Sequence, residues 1–137
     1  MTLRYMLDTN IVSYLLRGSS PRLELHLRRE RVDALCISAI TRAELRYGVA
    51  RLQPAATRLA HEVERLLQGI TTLAWDDAAA DAYGPVRAAL ERAGTPIGAL
   101  DTQIAAHTLI ANLTLVTHNV GEFRRVPGLR VEDWTVG

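Results

Sequence analysis

Leu3-Arg4-Tyr5-Met6-Leu7-Asp8-Thr9-Asn10-Ile11-Val12-Ser13-Tyr14-Leu15-Leu16-Arg17 decides the fold class. Residues 3–7 are a short apolar run that stops at Asp8, which reads as a strand. Thr9-Asn10 opens a helix to about Arg17, and Gly18 with Ser19-Ser20-Pro21 closes it. The same step recurs along the chain. Residues 33–38 read as a strand centred on Leu35-Cys36-Ile37, followed by a helix from about Ala39 to Arg51. Residues 71–74 read as a strand before a helix at 76–93, which Asp76 or Asp77 can cap and whose inner face carries Ala79, Tyr83, Val86 and Leu90. Leu113 to Thr117 is a strand ending in the polar turn His118-Asn119, and 129–132 a last edge strand. Alternating strands and helices predict an α/β sandwich with a mainly parallel sheet. Such sheets place their sites just beyond the carboxyl ends of their strands.

The remaining helices fill in the layers. Residues 22–31 pair Leu23 with Leu27 under an arginine-rich outer side. Pro54 is read as a first-turn proline, opening a helix to residue 68 with Leu59, Val63, Leu66 and Leu67 on one face. The segments 54–68 and 76–93 together read as an apolar helix hairpin and a candidate interaction surface. Gly94-Thr95-Pro96-Ile97-Gly98 is a loop, and the helix at 99–111 is apolar on most sides and expected to be buried.

Composition bounds the function. The 137 residues suit one domain spanning 1–137. A hydrophobic fraction of 48% and a net charge of +1 exclude a disordered chain and a polybasic nucleic-acid coat. All 16 basic side chains are arginine, so no P-loop, Schiff-base or other catalytic lysine is available. Cys36 has no partner cysteine and sits in an apolar run, which reads as a buried, inert thiol in a reducing, cytoplasmic setting. The N-terminal apolar run is too short for a signal peptide, and no stretch reaches the ~20 apolar residues of a membrane span.

Four polar residues fall at, or within about one helical turn of, a strand end or helix start: Asp8, Glu44 inside the helix after the second strand, Asp101 and Asn119. Taken singly, each has a structural role open to it. Asp8 can cap the first helix. Thr41-Arg42-Ala43-Glu44 matches a capping box. Asp101 can complement a helix dipole, and Asn119 is an ordinary turn residue. Taken together they suggest carboxylates gathered on one crevice, where mutual repulsion is tolerated when a cation lies between them. Hard oxygen donors without a His–Cys cluster point to Mg²⁺ or Mn²⁺ rather than zinc. A metal-activated water is then suited to phosphodiester hydrolysis.

At these residues the sequence resembles the PIN-domain ribonucleases, and within them the VapC toxins of bacterial toxin–antitoxin pairs. The segments that carry the resemblance are Met6-Leu7-Asp8-Thr9-Asn10, Ser38 through Gly48, Pro96 through His107, Leu115 through Asn119, and Glu122 through Leu129. It implies a three-layer α/β/α PIN-like sandwich and a Mg²⁺-dependent endoribonuclease, with Mn²⁺ able to substitute. It further implies Asp8 and Asp101 as metal ligands and Glu44 as the residue holding or activating a water. Thr9 or Ser38 would orient these carboxylates, with Thr117 in support. Many PIN domains carry a fourth carboxylate where Asn119 stands. A neutral amide adds no charge, so one metal ion is expected, and Glu122 is a candidate to reach in. The implied partners are a VapB-like antitoxin, a second copy of the chain, and a structured RNA such as tRNA or rRNA.

Two rivals remain beside this reading: a non-catalytic PIN-like module that binds RNA or protein, which Asn119 favours, and a phosphotransfer domain, which the absent lysine disfavours. His26 and His61 read as solvated, His107 carries no motif, and His118 is the only histidine beside the candidate site. Arg28, Arg29 and Arg31 form one basic cluster, and Arg42, Arg46 and Arg51 recur on the Glu44 helix. Arginine there is either solvated or placed to clamp phosphate. Aromatic residues make up 5% of the chain, which favours recognition of RNA shape and backbone over base stacking.

Overall fold

The computed structural model describes residues 2–136. Five strands, β1 (Tyr5–Leu7), β2 (Leu35–Ser38), β3 (Thr71–Leu73), β4 (Thr114–Val116) and β5 (Arg130–Glu132), form one sheet in the order β3-β2-β1-β4-β5. Every neighbouring pair is parallel, with Tyr5 opposite both Leu35 and Thr114. Parallel strands need crossovers, and the helices supply them: α1 (Thr9–Arg17), α2 (Pro21–Arg29), α3 (Ala39–Leu52), α4 (Thr57–Gly69), α5 (Asp77–Arg92), α6 (Ala99–Ile110) and the short α7 (Val120–Phe123).

Side chains along a strand point alternately to opposite faces, and this separates two cores. Tyr5, Leu7, Leu35, Ile37 and Val116 pack with Ile11 and Val12 of α1, Leu23 of α2, Leu45 of α3, and Val63 and Leu67 of α4. Met6, Cys36 and Leu115 face the other way, onto Val86 and Leu90 of α5, Ile104 to Ala106 of α6, and Phe123 of α7. Each aliphatic chain so enclosed contributes roughly 1.5–3 kcal/mol relative to exposure. The result is the three-layer α/β/α sandwich, with the sheet covered on both faces.

Local chemistry sets the helix ends. Asp8, Ser20, Ser38 and Asp76 cap α1, α2, α3 and α5 through their side chains. Gly18 ends α1 in the left-handed region at φ 64°, where a side chain would be strained. Cys36 is fully buried in β2, and desolvation pushes its thiol up to about 12. Trp134, just past β5, is buried edge-on against Tyr5 at 4.8 Å and stacks on His26 at 4.0 Å. His26, read as solvated, is thus packed on an aromatic ring with its side chain 35% exposed.

Several boundaries differ from the sequence reading. Pro54 lies in the turn before α4 rather than in its first turn. Residues 54–68 and 76–93 do not form a hairpin: β3 separates α4 from α5, and the two pack on opposite faces of the sheet. Val32–Ala34 is a 3-10 turn, so β2 begins at Leu35. Between the His118-Asn119 turn and β5 the structure adds α7, whose Phe123 is fully buried in the core.

Candidate acidic active site

In the strand order β3-β2-β1-β4-β5, the chain steps outward from β1 to β3 on one side and resumes on the other side at β4. The crossovers diverge at the β1–β4 boundary and leave a crevice beyond the carboxyl ends of those strands. Asp8 follows β1 directly, and its N–H donates to Val116 O at 3.1 Å, which pins it to the end of β4. Its side chain is 2% exposed, and Oδ1 accepts from Ile11 N–H at 2.8 Å. One Asp8 oxygen thus caps the helix, and the other is free of that bond.

Burial pushes the Asp8 carboxyl up to about 6, and the charge of Asp133 adds to the rise. Hydrogen bonding from Thr117 and Ile11, and the nearby His118, oppose it. Asp101, half-buried in the first turn of α6, is also pushed up to about 6. Desolvation is the main cause, followed by the negative charges of Glu122, Asp8 and Glu44 and a hydrogen bond with Glu122. Every one of these influences raises it. Four carboxyl groups thus share one field, and Asp101 has no cation among the groups that perturb it. Glu122, half-buried on α7, joins the cluster.

Glu44 sits in the second turn of α3, half-buried. Thr9 Oγ1 donates to Glu44 Oε1 at 2.8 Å and lies 3.1 Å from Thr41 Oγ1. The capping-box reading of Thr41 and Glu44 does not hold, because α3 starts at Ala39 and Ser38 is its cap. Ser38 orients no carboxylate. Its Oγ accepts from Ile40 N–H at 3.0 Å and lies 2.8 Å from Nδ1 of the buried His107. Desolvation pushes His107 down, while Asp76 and a backbone hydrogen bond at Ala74 act against that. Asn119 is half-buried at the start of α7, where its side chain makes no capping bond, and its N–H donates to Thr117 Oγ1 at 3.0 Å.

Two of the three arginines of α3 are committed elsewhere. Arg42 donates to Thr72 Oγ1 at 3.1 Å, and Arg46 pairs with Glu64 at 2.7 Å. Sequence reasoning passed over Asp133, although it stands just beyond the carboxyl end of β5, where the rule that singled out Asp8 applies equally. It also found no role for His107, because nothing in a linear reading joins residue 107 to residue 38.

The donor set suits a hard divalent cation: carboxylate oxygens, a neutral amide and hydroxyls. Among the described residues, no three His, Cys, Asp or Glu side chains converge tightly enough to enclose a metal ion by themselves. That is compatible with Mg²⁺, which takes one or two carboxylates and fills its remaining positions with water and substrate phosphate.

An acidic crevice at the switch point of a parallel α/β/α sandwich agrees with what sequence comparison finds, a match of the PIN domain family over residues 5–129. The chain belongs to the PIN-domain family, in its VapC branch. It is 40% identical over 135 residues to the tRNA(fMet)-specific endonuclease VapC of Shigella flexneri, covering 97% of this chain and 99% of that one. It is 38% identical to ribonuclease VapC2 of Haemophilus influenzae, covering 96% and 98%. Among solved structures, the DNA-bound VapBC of Salmonella typhimurium matches with a TM-score of 0.89 at 38% identity, over 96% of this chain and 98% of that one. VapBC2 of Rickettsia felis, bound to a promoter DNA fragment, matches with a TM-score of 0.87 at 32% identity, over 98% and 99%. Among the described residues, no helix is long and apolar enough to cross a membrane.

Proposed function

We infer that the protein is a Mg²⁺-dependent endoribonuclease, the toxin of a toxin–antitoxin pair, acting on structured RNA. The observation that carries this is the shared field of Asp8, Glu44, Asp101 and Glu122 beyond the β1–β4 crevice. Buried like charges are costly, and a divalent cation between them relieves that cost. Asp8 and Asp101 would hold the ion. When bound, it neutralises phosphate charge and lowers the pKa of a coordinated water.

The chain's own residues do the rest. Thr9 fixes the Glu44 carboxylate, which is then placed to orient the attacking water. The β1–α1 junction holds Asp8 rigidly through the Ile11 N–H. Asn119 contributes an amide acceptor without added charge, which supports one ion rather than two. The names of the relatives support tRNA, and initiator tRNA in particular, as the first substrate to test. Relatives crystallised as VapBC complexes support a VapB-like antitoxin as partner.

The test is cleavage of initiator tRNA and of ribosomal RNA fragments by the purified protein, with Mg²⁺, with Mn²⁺ and with EDTA. Divalent-dependent cutting that Asp8→Asn and Asp101→Asn abolish is the expected result. Binding of RNA without cutting under either ion would favour the non-catalytic reading, for which the amide at Asn119 is the supporting feature.

A further inference from the structure

One cluster beside the carboxylates has no part in the chemistry above. His118 follows β4 and Asp133 follows β5, and the pairing of Val116 with Glu132 brings the two strand ends together. His118 Nδ1 lies 3.2 Å from Asp133 Oδ2 and 3.0 Å from Thr135 Oγ1. Thr135 spends both its hydroxyl hydrogen and its N–H on Asp133 Oδ1, the latter at 2.8 Å. Nδ1 therefore faces a carboxylate oxygen and a hydroxyl oxygen whose hydrogen is already given away. Both can only accept, so Nδ1 carries the ring proton. In the neutral imidazole this leaves Nε2 as a bare lone pair.

The cluster is built to hold that ring. The Asp133 side chain is 10% exposed, whereas that of His118 is 47% exposed. Tyr14 packs edge-on against the imidazole at 5.6 Å. Among the described residues no group hydrogen-bonds Nε2. His118 and Asp133 both lie near enough to Asp8 to perturb its carboxyl, in opposite senses.

We propose that His118 is a specificity-determining residue that accepts, at Nε2, a hydrogen bond from a ribose 2′-hydroxyl beside the scissile phosphate. The inference rests on the ribonuclease reading and adds to it how RNA is told from DNA. An RNA strand laid across the crevice offers phosphate oxygens, base edges and 2′-hydroxyls. Phosphate oxygens are acceptors and gain nothing from a lone pair. The ribose lies next to the phosphate in the strand, and its 2′-hydroxyl is the donor that DNA lacks. The histidine is held by its other nitrogen, so the acceptor is in place before substrate arrives.

The experiment measures kcat/KM on the RNA that the wild type cuts, from the panel of initiator tRNA and ribosomal fragments. Transcripts with a single 2′-deoxy sugar at each nucleotide flanking the cut are compared for wild type, His118→Ala and His118→Gln. At one position the missing hydroxyl should cost the wild type roughly three- to tenfold, the range of one neutral hydrogen bond. His118→Ala should cut the all-ribose RNA at that reduced rate and suffer no further loss from the deoxy sugar. His118→Gln, whose Oε1 accepts, should recover part of the discrimination. A wild type that cuts RNA with no flanking deoxy effect beyond about twofold overturns the proposal alone, as does a full penalty retained in His118→Ala. A wild type that cuts no RNA overturns the ribonuclease reading and this proposal with it.

Discussion

Thr9 Oγ1 and Glu44 Oε1 are 2.8 Å apart, a hydrogen bond that ties the first residue of α1 to α3 across the mouth of the crevice. Without it, Glu44 is a long side chain with several rotamers open to it. Thr9→Val keeps the shape and removes the donor. Cleavage should fall roughly tenfold while stability drops by about 1 kcal/mol or less, and Thr9→Ser should restore both. Single-turnover rates and thermal melts of the three proteins check this.

Asp8 makes stability depend on pH in an unusual direction. Its carboxyl titrates at 3.8 when exposed and at about 6 in the fold. Between those values the native state holds a proton that the unfolded chain has released, so stability falls as pH rises through that window. Asp8→Asn keeps the α1 cap and removes the charge. Without metal, the variant should melt above the wild type at pH 7, by up to about 3 kcal/mol, and match it near pH 3. Equal pH profiles for the two proteins would show that the buried charge carries no such cost.

Divalent cations should reverse that cost. A ligand that binds only the folded state raises stability by roughly 2.7 kcal/mol at a hundred times its dissociation constant. Mg²⁺ or Mn²⁺ should therefore raise the melting temperature of the wild type at pH 7. The rise should vanish in Asp8→Asn and shrink in Asp101→Asn. Calorimetric titration of all three with Mn²⁺ measures it directly.

Ser38 holds two partners at once, the part-buried Ile40 N–H and the buried His107 ring. Ser38→Ala strands both, and should cost about 2–4 kcal/mol in denaturant unfolding. His107 contributes in the opposite pH sense to Asp8. Its native pKa lies below the ordinary 6.5, so the unfolded chain takes up protons first and stability is lost as pH falls below about 6.5. The stability of His107→Gln should therefore rise relative to that of the wild type as pH falls from 7 to 5.

Much of this was legible along the chain. The apolar run ending at Asp8 marks both a strand and the cap of the helix after it, because strand ends and helix starts are written locally in caps and turn residues. Asp101, in the first turn of α6, was legible for the same reason, whereas the capping box read at Thr41 and Glu44 was not the one that the fold uses. The partners of Ser38, the commitment of Arg46 to Glu64 and the holding of His118 by Asp133 were not. Each joins residues on different elements, and only the packed sheet determines which elements meet. Pro54 misled because a proline suits a turn as well as a first helical position. The hairpin expected of 54–68 and 76–93 failed because β3 places its two arms on opposite faces of the sheet.

The innermost strand, β1, carries a consequence for synthesis. One of its edges pairs with β2, but the other waits for β4, with Tyr5 opposite Thr114. A ribosome must therefore deliver Thr114 to Val116 before that edge is covered and before the crevice exists at all. Contacts so distant in sequence form late and together. A growing chain exposes an unpaired strand edge yet has no RNA-cutting site, so the dangerous activity arises only when folding is complete.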